Sequence, residues 1–78
     1  MDRARLVELV ALAEHRIAQG ERHIAMQRGV IAVFQRQGLE VNEAIDVLMR
    51  LEQLQAAHVF RRNRLRKELG PRVREARG

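Results

Sequence analysis

Three histidines, ten carboxylates and fifteen basic side chains carry the acid–base and ligand chemistry of this chain, which has no serine, threonine, cysteine or tyrosine. The usual hydroxyl and thiol nucleophiles are therefore missing, and carboxylates and histidines remain as acid–base candidates that no sequence feature gathers around a pocket. No thiolate metal site or disulfide can form. Among the histidines, His15 and His23 fall on one ridge of a helix but two turns apart, about 12 Å by helical rise, too far to share one metal ion. The positions three residues after Glu14, Glu21, Glu43 and Glu52 are Ile17, Ile24, Asp46 and Gln55, so the Glu-x-x-His pattern of di-iron bundles is absent. His58 stands apart because its spacing puts it among apolar neighbours, where it is either a structural side chain or the ligand of a small-molecule or metal carrier centred on Gly20 and His58. The five glycines are scattered, so no Gly-rich phosphate loop is present. The chain is expected not to be an enzyme and to carry no cofactor.

Charge is the strongest asymmetry. Eight of the fifteen basic residues lie between Arg61 and Arg77 beside only Glu68 and Glu75, so this end carries about +6 and the rest about −1. Arg61, Arg64, Lys67, Arg72, Arg74 and Arg77 are the candidate nucleic-acid contacts, since guanidinium and ammonium groups bind phosphates with little regard to base sequence. The competing reading is a solvated helix end whose cations complement the dipole, with Arg62 and Arg66 paired to Glu14 or Glu21. Only Phe60 adjoins the basic run, which provides no aromatic interleaving for single strands.

The elements that position these groups are two helices. Leu6, Val10, Ala13, Ile17, Gly20, Ile24, Gln27, Ile31 and Phe34 alternate at intervals of four and three, a heptad seam along one face. Asp2 suits the N-cap, and Gly38 followed by Leu39 suits a Schellman stop, so the first helix is expected over about 3–37. After a short connection, Asn42 suits a second N-cap. A second seam through Ala44, Leu48, Leu51, Gln55, His58, Arg62, Leu65 and Leu69 runs to Gly70-Pro71, which gives a helix over about 43–69. Folding the seams about the loop makes residues summing to about 80 neighbours, which sets Gly20 opposite His58. The fold class expected is all-α: an antiparallel two-helix hairpin over 1–70, with 71–78 a basic flexible tail.

The seams leave apolar residues over. Ile45, Met49, Leu54, Val59 and Phe60 on the second helix, and Val7, Leu12, Val30 and Val33 on the first, widen the apolar stripe beyond what one hairpin covers. A chain of 78 residues sits near the lower limit for a self-sufficient core. A homodimer forming a four-helix bundle is the expected remedy, with the five second-helix residues as candidate interface and a larger protein as a further partner. No stretch approaches the roughly 20 apolar residues of a membrane span. The opening Met1-Asp2-Arg3 does not begin a secretory signal, so a cytoplasmic location is expected.

Glu21-Arg22-His23-Ile24-Ala25-Met26-Gln27-Arg28, with Gly38, Ala44-Ile45-Asp46-Val47-Leu48, Leu51-Glu52, His58 and Arg64-Leu65-Arg66-Lys67-Glu68-Leu69, resembles a family of short bacterial proteins without an assigned activity. The resemblance spans about Glu14 to Leu69 and implies a helical hairpin. Many members carry Gly-His at the turn where this chain has Gly38-Leu39, so the resemblance implies no role for a turn histidine here, and it carries over no binding residue.

Overall fold

Helix ends need partners for their free backbone groups, and at three of the four ends the sequence supplies them as expected. The computed structural model describes residues 2–70. At its start the Asp2 carboxylate accepts the Arg5 backbone N–H at 2.8 Å, satisfying one of the four orphan donors of a first turn. From there α1 runs as one helix over Arg3–Arg36. It stops at Gly38, whose φ of 71° lies in the left-handed region. The Leu39 N–H donates to the Phe34 carbonyl at 2.9 Å and the Gly38 N–H to the Gln35 carbonyl at 3.1 Å, the paired bonds of a Schellman motif.

The second helix, α2, spans Asn42–Leu69. Its start departs from expectation: Val41 occupies the N-cap position without a side-chain bond, and Asn42 is already helical. The Glu40 carboxylate accepts the Asn42 N–H instead. A carboxylate reaching forward meets another of the orphan donors of the first turn and adds negative charge at the positive end of the dipole, while the Ile45 N–H is taken by the Val41 carbonyl. At the far end Gly70 has φ 69° and its N–H donates to the Arg66 carbonyl at 3.0 Å. The expected tail, with Arg72, Arg74 and Arg77, lies outside the described residues.

The chain is thus an all-α helical hairpin with no strand among the described residues, and none of its helices is long and apolar enough to cross a membrane. Every seam position named from the sequence, on both helices, is buried or half-buried. Leu6, Ala13, Ile17, Ile31 and Ala44 form the buried core, and among the described residues no side chain is completely shielded from water. The molecule is a rod of 57 × 21 × 15 Å with a radius of gyration of 17.6 Å, where a globule of this length would have roughly 11–12 Å. Its core is one row of side chains thick.

Two glutamines in that row tie the helices together. Gln55 on α2 donates its amide N–H to the Ile17 carbonyl of α1 at 2.8 Å, and Gln27 on α1 donates to the Ala44 carbonyl of α2 at 2.8 Å. Because a carbonyl only accepts, each bond fixes which way its amide faces. The Gln55 Oε1 then turns onto Gly20, coming within 1.9 Å of where a Cβ would stand, and is buried without a conventional donor. The bare Gly20 Cα–H is its neighbour, a weak donor at best.

The register corrects the expected facing of Gly20 and His58. Both occupy the same heptad position on their helices, whereas antiparallel seams interleave unlike positions layer by layer, so Gly20 meets Gln55. Moving equal numbers of residues along both helices from that pair sets Ile24 level with Leu51, Ile17 with His58 and Val10 with Leu65. The room left by the missing side chain is taken by an amide rather than an imidazole.

Gly20→Ala tests this packing. Alanine in mid-helix should add about 1 kcal/mol of stability over glycine, but here its Cβ must expel the Gln55 amide and break a hydrogen bond with a net contribution of about 0.5–1.5 kcal/mol. Gly20→Ala should therefore leave the urea midpoint unchanged or lower it in the natural chain, and raise it in a Gln55→Ala background. Equal stabilisation in both backgrounds would show that the amide does not sit on Gly20.

Candidate functional site

Either side of the seam, the hairpin presents a long face built from one ridge of each helix, and the two faces differ in chemistry. On the first, Glu14, Glu21 and Arg28 of α1 stand at seven-residue intervals beside Ile45, Glu52, Val59 and Arg66 of α2. Arg28 pairs with Glu52 at 3.1 Å, and Arg66 pairs with Glu14. The second pair realises the structural alternative for Arg66; Arg62 bonds the neighbouring Asn63 side chain instead. These pairs cancel four of the five charges named on this face and leave Glu21 over. Ile24, Glu52, Gln55, Ala56, Val59, Phe60 and Asn63 line a shallow open groove along it.

One turn outward on α1 lies a signal that the reading of the seam passed over. Alanine recurs every seventh residue, at Ala4, Ala11, Ala18, Ala25 and Ala32, on the ridge adjoining Glu14, Glu21 and Arg28. Met49 and Ala56 hold the matching ridge of α2. The ion-paired face is therefore low in relief, with Ile45, Met49 and Val59 projecting from it.

The opposite face is uncompensated. Between the helices a groove of about 220 Å³ is lined by Arg16, Gln19, Gly20, His23, Leu51, Leu54, Gln55 and His58. No carboxylate takes part in that lining. Toward the loop the same ridges continue one heptad on as Val30 and Val47, both exposed, with Met26 and Val33 beside them. His58 is half-buried on the wall of this groove, and His15 is exposed on α1 away from it. Among the described residues no three His, Cys, Asp or Glu side chains gather where they could hold one metal ion.

The five candidate interface residues do not form one patch. Ile45, Met49 and Val59 share the ion-paired face, with the 64% exposed Phe60 at its outer border, whereas Leu54 lines the groove on the other side. Helical phase explains the split, since Leu54 and Ile45 leave α2 on opposite sides of the seam.

Of the candidate phosphate contacts, Arg61, Arg64 and Lys67 are exposed near the end of α2. None has an acidic partner among the described residues. Arg64 lies over the Phe60 ring, 6.0 Å from its centroid, at the outer limit of a cation–π contact. Arg61 and Arg64 share a surface depression with Glu68, a carboxylate that opposes an incoming phosphate. No protein-family model matches the chain, and neither a curated protein nor a solved structure is significantly similar to it.

The interhelical ion pairs give a direct measure of how the first face is held. Their side chains are 43–64% exposed, and pairs in that setting contribute about 0–1 kcal/mol. Arg28→Ala and Glu14→Ala should each lower urea stability by no more than about 1 kcal/mol, with the deficit shrinking as salt is raised. A loss of several kcal/mol would mean that the pairs are desolvated.

Proposed function

We propose that this chain is a non-catalytic protein–protein interaction module that works as a homodimer, two hairpins packing through their ion-paired faces into a four-helix bundle. The observation that carries this reading is the exposure of large apolar side chains on a rod whose own core is one row thick. They are Ile45 and Met49 on the ion-paired face, and Met26, Val30, Val33, Val47 and Leu54 on the grooved one, so that charge rather than apolar area selects between the two faces. A second copy covers such a face by symmetry. Charge favours the ion-paired face as the contact. A two-fold axis through the other face would bring Arg16, His23 and His58 against their own copies, whereas Glu14–Arg66 and Arg28–Glu52 present acid and base in balance. The alanine ridge lets two backbones approach closely, and Ile45, Met49 and Val59 supply the apolar contact.

A second reading, a nucleic-acid-associated protein, draws on the exposed Arg61, Arg64 and Lys67, continued in sequence by Arg72, Arg74 and Arg77. Glu68 and the lack of interleaved aromatic residues weigh against it.

Light scattering after size exclusion should give twice the chain mass at tens of micromolar, and Ala25→Glu, an exposed substitution on the alanine ridge, should return it to the monomer. Val30→Glu, on the opposite face, should leave the dimer intact. A natural chain that runs as a folded monomer would refute the dimer, and dissociation by Val30→Glu but not by Ala25→Glu would move the contact to the other face. For the second reading, mobility shifts with duplex DNA at physiological salt decide. The interaction-module reading expects only weak retention, near the 10⁻⁴–10⁻⁶ M usual for nonspecific cationic binding. Submicromolar binding abolished by deleting residues 71–78 would reverse the ranking.

A further inference from the structure

The groove between the helices joins three nitrogen-bearing side-chain types that the proposed dimer does not use. Arg16 offers a planar fork of N–H donors, Gln19 a side-chain NH₂, and His23 and His58 at least one ring N–H each in any protonation state. All four line one groove with Leu51, Leu54 and the bare backbone of Gly20. Elsewhere on the hairpin Arg28 and Arg66 are taken up by Glu52 and Glu14. Arg16 differs: its neighbours three and four positions away along α1 are Ala13, Gln19, Leu12 and Gly20, none of them acidic, and it has no acidic partner among the described residues.

We infer that this groove is a binding site for a small organic anion, a carboxylate or phosphate head held by Arg16, with an apolar body lying along the groove against His23, His58, Leu51 and Leu54. Bidentate donation from a guanidinium to an oxyanion is the strong contact available there, and the absence of a lining carboxylate leaves that contact open to a ligand. The volume of about 220 Å³ falls below the range of drug-sized pockets, which limits the ligand to a head group and a single small ring or short chain. Gly20 seats the Gln55 amide in the seam, and the two residues together form part of the groove lining. The site lies on the face opposite the proposed dimer contact, so it stands whether or not the chain dimerises.

Histidine ring resonances of the full chain, followed by NMR at fixed pH and ionic strength, provide the test, with His15 as internal control. Phenyl phosphate should shift His23 and His58 saturably and leave His15 in place. Arg16→Gln should weaken that binding at least fivefold, while Arg22→Gln, outside the groove, should not change it. Benzyl alcohol, which has the ring without the charge, and inorganic phosphate, which has the charge without the ring, should both bind at least fivefold more weakly. The assignment is overturned if His15 moves in step with the other two, if Arg16→Gln keeps full affinity, or if benzyl alcohol binds as tightly as phenyl phosphate. Equal affinity for inorganic phosphate would overturn the seating on Leu51 and Leu54.

Discussion

The structure depends on register: two long helices with a repeating apolar seam can slide past one another by a heptad and still bury similar side chains. The two glutamine bonds, Gln55 to Ile17 and Gln27 to Ala44, oppose that slippage because each needs a particular carbonyl at a particular height on the other helix. A polar group inside a seam costs stability relative to an aliphatic one, and its use in coiled coils is to specify pairing. Here the bonds lie on either side of Ile24, near mid-rod, and one of them requires a glycine opposite. Everything outside the seam, from the Arg28–Glu52 pair to the groove around His58, inherits its alignment from them.

The parts of this fold that were legible in the sequence are those set by local chemistry. Asp2, Gly38 and Gly70 mark helix ends through the conformations and hydrogen bonds of a few adjacent residues, and the four-three spacing from Leu6 to Phe34 names the buried face directly. What stayed hidden needs information from both helices at once. The pairing of Gly20 with Gln55 follows only when unlike heptad positions are interleaved, and equal rise per residue does not reveal that. The division of Ile45, Met49 and Val59 from Leu54 was present in the heptad phase, but an apolar surplus counted by width conceals which side each residue takes. Arg16 escaped notice, and His23 is weighed only against His15 when its own helix is read alone; the groove exists only once α2 contributes Leu51, Leu54 and His58.

Charge divides the rod lengthwise as well as end to end. Along one face Glu14–Arg66 and Arg28–Glu52 pair across the helices and leave Glu21 over; along the other, Arg16, His23 and the half-buried His58 line a groove that no carboxylate enters. Net charge, written as a single number for the chain, hides this arrangement. An ion-paired, shallow face and a basic, grooved one are suited to different neighbours, and a two-helix rod is the smallest architecture that can hold both apart without a second domain.

A core one row thick also determines how the molecule opens. Each layer of side chains touches only the layer before it and the layer after, so the hairpin behaves as a one-dimensional zipper rather than a globule with a common centre. The layers beside the Gly38 turn close the shortest stretch of chain, and each later layer is favourable only because its predecessor is already in place. Opening therefore proceeds inward from the end that holds Leu6 and Leu69, and backbone amides should gain protection from hydrogen exchange step by step toward the turn. The basic end of α2 belongs to the segment that opens first, so binding there and the integrity of the last few layers are thermodynamically linked.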